Sequence, residues 1–328
     1  MAMNGEPVKL PECVSPAFQA LIRSAEPRAA EALKREVYFS AEENAVADFE
    51  TDDPLGEKKY RATAHSVHQY PNRILVLTTG RCLSYCRYCF RRELTARERG
   101  FLTDAELDEV LDYVAAHPEI TEILLSGGDP LSAPFAVFEH AVLKIRARFK
   151  NILIRVCTRA PIFAPELFTD RMLSLLHDSK PLWLIPHINH PAELGEKQVQ
   201  ALEACRDVGI PMQSQTVLLR RINDEPAVLA ELFTRLVALG IKPGYLFQLD
   251  TARGTSHFAV PFNEALAIWV TLRDRLSGLS RPEFAVDLQE GGGKFSLSAV
   301  ALKDCIVEVT ESGFQVRRSD GKIYCYKD

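Results

Sequence analysis

The sequence lacks the features that would place the chain in a membrane or on nucleic acid. No apolar run approaches the ~20 residues of a membrane-spanning helix, and the start, MAMNGEPVKL, has no charged-then-apolar signal segment. A net charge of −5 at pH 7 gives no basic excess for binding phosphates. We therefore expect a cytoplasmic protein that has neither a membrane nor a nucleic acid as its partner.

Closely spaced pairs of cysteines, which structural zinc sites usually need, are also missing over most of the chain. Five cysteines are scattered singly: Cys13, Cys157, Cys205, Cys305 and Cys325. Disulfides would need an oxidising compartment, which the expected cytoplasmic location does not offer. The cysteines should therefore be reduced thiols.

The exception is the segment CLSYCRYC at residues 82–89, whose three cysteines have the spacing CxxxCxxC. A [4Fe–4S] cluster that only carries electrons usually takes four protein ligands. Three thiolates suggest that one iron is left open for a small molecule. The spacing therefore predicts an iron–sulfur cluster at Cys82, Cys86 and Cys89 that has an open coordination position.

Beyond residue 73, short β-branched runs alternate with segments of helical spacing. The predicted strands are Ile74–Thr79, Glu122–Ser126, Ile152–Cys157, Leu182–Ile188, Met212–Leu218 and Tyr245–Leu249. The predicted helices are Asp104–His117, Phe135–Phe149, Glu166–Ser179, Glu196–Val208, Ala227–Leu239 and Asn263–Leu276. This alternation predicts an α/β fold with a parallel sheet, either doubly wound or a partial barrel. Polar or glycine-rich residues follow each strand, so we expect the active site at that edge.

The remaining parts of the chain differ in character from this core. Residues 1–70 predict an N-terminal helical extension with helices at Ser15–Ala25 and Pro27–Arg35. Residues 71–280 hold the six βα units, and residues 281–328 form a short β-rich segment that carries Lys294.

Two glycine-rich segments follow apolar runs. In SGGDP, at residues 126–130, the glycines would let a ligand approach the backbone, although such a sequence also suits a tight turn. In DLQEGGGK, at residues 287–294, three glycines precede Lys294, which could reach into a pocket or lie in solvent on a flexible loop. Desolvation would lower the pKa of such a lysine and leave a neutral, nucleophilic amine.

The cysteine segment, with the aromatic Tyr88 before its last cysteine, resembles the signature of radical S-adenosylmethionine (SAM) enzymes. The resemblance implies a partial (β/α)6 barrel in which SAM occupies the open iron and yields a 5′-deoxyadenosyl radical. It further implies that SAM is bound by Tyr88, Ser126, Gly127, Gly128, Asp129, His187 and Gln215.

Residues 287–294 resemble the DxPGGGGK loop of the lysine 2,3-aminomutase family, although Glu290 stands where the first glycine is expected. The resemblance implies that Lys294 holds pyridoxal 5′-phosphate (PLP) covalently. It also implies that Tyr70, Arg73 and Arg159 bind the PLP phosphate, whereas Gln69 stands where relatives usually have arginine.

The same resemblance assigns three charged residues to the substrate. Arg91 matches the arginine that binds the substrate α-carboxylate, and Asp250 and Asp287 match the two carboxylates that bind its ε-ammonium. Two desolvated carboxylates specify a substrate with a distal positive charge. Clostridial relatives carry a structural zinc site whose first cysteine follows an Asn-Asp pair. Glu225 takes that position here, so no structural zinc is expected.

The resulting prediction is an isomerase that interconverts L-lysine and β-lysine by a PLP-mediated 2,3-amino shift, using a flavodoxin- or ferredoxin-type reductant. A homo-oligomer is left open. Alternatives are the same chemistry on arginine, or a role in β-lysylation of elongation factor P, whose enzymes lack the second aspartate. More distant alternatives are a radical SAM enzyme without PLP and an iron–sulfur electron carrier.

Overall fold

The computed structural model describes residues 8–302, 306–310, 313–317 and 321–327. Within them, one ten-stranded sheet runs in the order β1 to β10, and a separate three-stranded sheet runs from β11 to β13. The large sheet consists of β1 (Arg61–Thr63), β2 (Ser66–Tyr70), β3 (Arg73–Thr79), β4 (Glu122–Gly127), β5 (Leu153–Thr158), β6 (Leu182–Pro186), β7 (Met212–Val217), β8 (Ile241–Phe247), β9 (Glu283–Leu288) and β10 (Gly293–Ser296). The small sheet consists of β11 (Ile306–Thr310), β12 (Gly313–Arg317) and β13 (Ile323–Lys327).

The chain has eleven α-helices in the described ranges. They are α1 (Pro16–Ser24), α2 (Pro27–Val37), α3 (Arg92–Thr95), α4 (Asp104–Ala116), α5 (Phe135–Arg148), α6 (Ala160–Phe163), α7 (Asp170–Asp178), α8 (Glu196–Asp207), α9 (Pro226–Ala238), α10 (Phe262–Arg275) and α11 (Ser298–Leu302). Of these, α3 to α10 lie in the connections between the parallel strands, α1 and α2 precede the sheet, and α11 follows β10. No helix in these described ranges is both long and apolar enough to cross a membrane.

The strand order distinguishes between the doubly wound sheet and the partial barrel, the two folds that the sequence left open. Strands β3 to β9 are all parallel, and each pairs with the strand that precedes it in the chain. A doubly wound sheet would reverse this order at a switch point, whereas repeated crossovers of one hand keep every helix on the same face. The fold is therefore the predicted partial (β/α)6 barrel.

The alternation of burial along the strands shows which residues line the inside of this barrel. In β5, Ile154 and Val156 are fully buried and belong to the apolar core with the helices, whereas Arg155 and Cys157 are only half-buried. Successive side chains of a strand point to opposite faces. Arg155 and Cys157 therefore line a polar barrel interior that is partly open to solvent.

The ends of the barrel differ from the predicted domain limits. Strand β1 pairs antiparallel with β2, and β2 pairs antiparallel with β3, so residues 61–70 extend the sheet and do not belong to a helical extension. Similarly, β9 and β10 continue the sheet past residue 280. The sequence analysis missed β2 because its sequence, SVHQY, does not alternate regularly between apolar and polar residues.

The predicted N-terminal helices are confirmed, and both pack onto the barrel. Helix α1 begins after Ser15, whose side chain accepts a hydrogen bond from the amide of Phe18. The Phe18 ring meets the Phe163 ring edge-on with centroids 5.0 Å apart. Seven of the cysteines are free thiols in the structure, and Cys305 lies outside the described residues.

Candidate active site

The loop that carries the three predicted cluster ligands connects β3 to α3 and is anchored from two sides. The backbone amide of Asp129 donates to the carbonyl of Arg81 at 2.8 Å, which joins the loop to the turn after β4. The buried guanidinium of Arg87 pairs with Glu43 through contacts of 2.7 and 2.8 Å. Cys82, Cys86 and Cys89 are thereby held half-buried.

The pKa values of the three thiols show that the thiols are buried and lie close together. Burial raises the pKa of all three, that of Cys89 to about 11, and negative charge on the neighbouring cysteines raises those of Cys82 and Cys89 further. Three such thiolates repel one another unless a metal shares their charge. Among the described residues no group of three or more Cys, His, Asp or Glu can surround a single ion. A cluster instead binds each thiolate through a different iron.

The aromatic residue of the signature, Tyr88, lies beside the ends of β5 and β6. Its hydroxyl accepts from Arg159 Nη1 and from Asn189 Nδ2, both at 2.6 Å, and lies 3.4 Å from His187 Nε2. Burial, aided by the charge of Arg159, lowers the pKa of His187 to about 3, so its imidazole is neutral. An isolated β-bridge pairs the backbones of His187 and Gln215, so these two predicted SAM ligands are neighbours.

The turn at residues 126–129 is built against the cysteine loop. Gly127 has φ +109°, and a Cβ on Gly128 would lie 2.2 Å from the carbonyl oxygen of Arg81. Close backbone approach therefore requires glycine at both positions whether or not a ligand binds. Ser126 is buried, and its carbonyl accepts from the Thr78 hydroxyl at 2.8 Å.

Asp129 differs from its predicted role in binding SAM. Its buried carboxylate accepts hydrogen bonds from the amide of Leu131 at 2.9 Å, the amide of Arg159 at 2.8 Å and the hydroxyl of Thr158 at 2.8 Å. These contacts use both carboxylate oxygens. Asp129 therefore holds the end of β5 against the glycine turn.

Arg159 also lies elsewhere than predicted. Its Nη1 is 2.9 Å from Cys86 Sγ and 3.0 Å from Glu36 Oε2, and its Nη2 pairs with Glu193. Within the described ranges, no contact joins it to Tyr70, Arg73 or Lys294. The structure thus does not support Arg159 as a ligand of the PLP phosphate. It links helix α2 and β5 to the cysteine loop.

The two glutamates around Arg159 were not found by sequence reasoning. Glu36 and Glu193 are fully buried, and burial followed by repulsion from Glu193 raises the pKa of Glu36 to about 8. Only a weak indication of Glu36 was present in the sequence, namely a glutamate on the buried face of helix α2. Its partner lies more than a hundred residues away in the chain.

Replacing Arg159 with methionine is expected to destabilise the protein by about 3–5 kcal/mol, because it leaves the buried Glu36–Glu193 pair without its cation. The free energy of unfolding, measured by urea denaturation of the cofactor-free protein, tests this. Arg171→Met is the matched control, since the Arg171 side chain is 67% exposed in its pair with Glu139. A loss below about 1 kcal/mol for Arg159→Met, similar to the control, would contradict the assignment.

Lys294 lies at the other edge of the sheet, in strand β10. It sits directly across from Asp287, and its Nζ lies 2.7 Å from Asp287 Oδ2. The same Nζ is 4.0 Å from the centroid of the Phe247 ring. Burial lowers the pKa of Lys294 while Asp287 opposes the shift. The lysine is thus not a solvated surface residue, and its amine is easier to deprotonate than usual.

Tyr70 and Arg73, which the sequence analysis assigned to the PLP phosphate, lie close to Lys294. The Tyr70 hydroxyl accepts from the backbone amide of Lys294 at 2.7 Å, and Arg73 Cζ lies 3.8 Å from the centroid of the Tyr70 ring. Arg155, which the sequence analysis missed inside β5, lies nearby, and its guanidinium pairs with Glu122. Burial lowers the pKa of Lys294 and of Arg155, and the charge of Arg73 lowers both further. The positive charge of Arg73 close to Lys294 fits an anionic cofactor group.

The predicted substrate residues lie in the same neighbourhood. Burial, followed by repulsion from Asp287, raises the pKa of Asp250 to about 7, and the charges of Lys294 and Arg91 oppose this. Arg91, on the cysteine loop, therefore lies near enough to Asp250 for their charges to interact. The sequence analysis did not find Glu57, whose carboxylate pairs with Arg91.

Known proteins resemble this chain in sequence. The profile of the radical SAM superfamily matches residues 76–233. A Treponema pallidum protein provisionally named L-lysine 2,3-aminomutase is 50% identical over 318 residues, covering 97% of this chain and 90% of its own length. L-lysine 2,3-aminomutase of Clostridium subterminale is 30% identical over 315 residues, covering 96% of this chain and 74% of its own length.

Among solved structures, a radical SAM methyltransferase from Sphaerobacter thermophilus superposes with a TM-score of 0.48 at 18% identity, covering 67% of this chain and 68% of that one. Family membership rests on the sequence relatives, which align over nearly the whole chain. The chain therefore belongs to the L-lysine 2,3-aminomutase family of the radical SAM superfamily.

Proposed function

We propose that this protein is an L-lysine 2,3-aminomutase, an isomerase that interconverts L-lysine and β-lysine. The observation that carries the proposal is the pairing of Lys294 Nζ with Asp287 at 2.7 Å, in an acid pair completed by Asp250. The chain's own lysine ammonium occupies this pair, and the ε-ammonium of a lysine substrate is the same chemical group. The named relatives support the same reaction.

The residues suited to the cofactors lie on two sides of the substrate group. Cys82, Cys86 and Cys89 would hold the [4Fe–4S] cluster, and Lys294, Tyr70 and Arg73 would hold PLP. SAM would be bound by the turn at residues 126–128 and by Tyr88, His187 and Gln215. When bound, the cluster and SAM supply a radical that abstracts hydrogen from carbon, and PLP supplies covalent activation of the amino group.

The charged side chains would fix the substrate between these cofactors. Arg91, two residues beyond Cys89, would bind the α-carboxylate, whereas Asp250 and Asp287 would bind the ε-ammonium. Binding both ends of an amino acid fixes which carbon faces each reactive group. A neutral or acidic side chain would leave the two carboxylates without a cation, so glutamate is disfavoured.

Lysine binding is expected to weaken as the pH falls through about 7. Asp250 has its pKa raised to about 7, so it loses its negative charge below that pH, and with it the attraction for the substrate ammonium. The dissociation constant should rise toward about tenfold for each pH unit below this value. Calorimetric titration between pH 8 and 5.5, without SAM to prevent turnover, measures this. Asp250→Asn should bind weakly throughout and lose the dependence; identical profiles for both proteins would contradict the role of Asp250.

We further propose that the protein works in the cytoplasm with a flavodoxin- or ferredoxin-type reductant. The free thiols support a reducing compartment, since half-buried cysteines that ligate iron must stay unoxidised. A one-electron donor is required because a cluster is reduced one electron at a time.

Product formation tests the proposed function directly. The protein is reconstituted anaerobically with iron and sulfide, supplied with PLP, SAM and dithionite, and incubated in parallel with lysine, arginine or glutamate. Mass spectrometry should detect β-lysine from lysine and no β-amino acid from glutamate. Formation of β-arginine in preference to β-lysine would reassign the substrate. No β-lysine from protein that contains both cofactors would contradict the proposal.

A further inference from the structure

Glu57 holds one edge of the Arg91 guanidinium. Arg91 Nε donates to Glu57 Oε2 at 3.3 Å, and Arg91 Nη2 donates to Glu57 Oε1. The carboxylate therefore lies side-on against the Nε and Nη2 edge. Both side chains are mostly buried, with 14% and 18% of their surfaces exposed. The guanidinium also packs over the Phe90 ring, with Arg91 Cζ 4.4 Å from the centroid, so its plane is fixed as well as its edge.

A second edge of this guanidinium remains for another carboxylate. A guanidinium carries five N–H groups, and the end-on edge formed by Nη1 and Nη2 matches a carboxylate as well as the side-on edge does. In the part of the chain that the structure describes, Nη1 of Arg91 makes no hydrogen bond. Arg91 is thus oriented by one carboxylate while it can still bind another with two parallel hydrogen bonds.

Arg87, four residues earlier in the same loop, also pairs with a glutamate, but all of its guanidinium is used in contacts within the protein. It makes the same side-on pair, with Nε and Nη2 donating to Glu43. Its Nη1, however, lies 3.5 and 3.3 Å from the carbonyl oxygens of Leu10 and Pro11, which use the end-on edge. The two arginines therefore differ at the edge that a ligand would need.

The segment that carries Glu57 is also fastened to the lysine loop. Glu57 begins a short 3₁₀ helix, Glu57–Tyr60, and its backbone amide donates to Asp53 Oδ1 at 2.9 Å. From the same helix, Lys59 Nζ donates to the Glu290 carbonyl at 2.6 Å and the Tyr60 hydroxyl donates to the Gly291 carbonyl at 2.8 Å. Glu57 therefore connects Arg91 with the loop that leads to Lys294.

We propose that Glu57 is a positioning residue for substrate recognition: it presents the end-on edge of Arg91 to the substrate α-carboxylate, in a fixed relation to Lys294. This rests on the proposed function, since it assumes an amino-acid substrate at this site. The inference adds a carboxylate that does not touch the substrate but determines how tightly the arginine binds it. It also explains why a buried acid lies beside a site that must attract an anion.

The test compares ligands that differ only at the carboxylate. Binding of L-lysine and of L-lysinamide, in which a neutral amide replaces the carboxylate, is measured by anaerobic calorimetry on the PLP-loaded enzyme without SAM. In the wild type, lysine should bind more tightly than lysinamide. Glu57→Gln should reduce the ratio of the two affinities by about tenfold or more, because a misoriented guanidinium loses a charged hydrogen bond to the carboxylate. Lysinamide binding itself should change little.

Three further measurements separate positioning from a general loss of structure. Glu57→Asp keeps the charge and should retain more of the ratio than Glu57→Gln. Lys58→Ala changes an exposed side chain of the same short helix without touching Arg91 or the lysine loop, and it should keep the wild-type ratio. In turnover assays, Glu57→Gln should raise the KM for lysine more than it lowers kcat, and its thermal midpoint should stay close to that of the wild type.

These measurements distinguish failure of the inference about Glu57 from failure of the proposed function. If the wild type neither binds nor converts lysine, the proposed function is wrong, and the ratio of lysine affinity to lysinamide affinity is not defined. If the wild type binds lysine and Glu57→Gln keeps its ratio, the inference is overturned. It is equally overturned if Glu57→Gln binds lysine more tightly, since Glu57 would then compete with the substrate, or if it loses lysine and lysinamide to the same extent.

Discussion

Replacing Lys294 with alanine is expected to abolish covalent PLP attachment and to reduce β-lysine formation by more than about a thousandfold. The reason is chemical and positional: within the described residues, Lys294 supplies the only amine in contact with both Asp287 and Phe247, beside the proposed phosphate site. Reduction with borohydride followed by peptide mass spectrometry should find a pyridoxyl group on Lys294 in the wild type and none in the variant.

Lys59→Ala is a suitable control for this experiment. Lys59 lies next to the same loop, where its Nζ donates to the Glu290 carbonyl, but it is exposed. It should keep both the covalent label and the activity. A Lys294→Ala protein that still carries borohydride-stable PLP on another lysine and still forms β-lysine would refute the assignment.

Each of the single changes Cys82→Ser, Cys86→Ser and Cys89→Ser should reduce cluster affinity by more than about tenfold and abolish turnover. The structure holds these three thiols half-buried on one loop, so no neighbouring cysteine of that loop can replace a lost ligand. Iron content, visible absorbance and electron paramagnetic resonance of the reduced protein measure the outcome.

Cys157→Ser provides the matched control for the cluster experiment. Cys157 is also half-buried, and burial raises its pKa to about 11, but it lies on β5 inside the barrel and outside the loop. This variant should keep its iron and its resonance signal. Addition of SAM should perturb the signal of the wild type and of Cys157→Ser alike. Full retention of the cluster in any of the three loop variants would contradict the ligand set.

Much of the fold could be predicted because the parallel strands are buried against helices. Strands β3 to β7 lie within two residues of their predicted limits, since runs such as Leu153–Thr158 are short, apolar and β-branched. Strand β8 begins at Ile241, four residues before its predicted start. Its first half contains Lys242, Pro243 and Gly244, which are residues that normally argue against a strand.

The site was predictable where one residue type carries the chemistry. The cysteine spacing and the glycine-lysine loop each predicted a cofactor region, because each motif is local in sequence. Partners that lie far apart in sequence were not predictable. Arg159 was expected at the phosphate, yet it is enclosed by Glu36 and Glu193, and no local pattern pairs charges across such separations.

In the turn after β4, the roles of the glycines and the aspartate were hard to predict for a different reason. The sequence predicted that residues 126–129 bind SAM, and the structure explains part of that motif without a ligand. Gly128 must be glycine because the Arg81 carbonyl lies against it, and Asp129 is used by the end of β5. A motif can therefore carry both a structural and a binding requirement, and only the three-dimensional contacts separate them.

Isotopic labelling of the migrating group tests the central claim most directly. The reconstituted enzyme is incubated with L-lysine labelled with ¹⁵N at its α-amino group, and the product is analysed by nuclear magnetic resonance and mass spectrometry. The account predicts β-lysine that carries the label on carbon 3, because the amino group moves within one molecule. Absence of β-lysine, or β-lysine whose carbon 3 nitrogen is unlabelled, would contradict it.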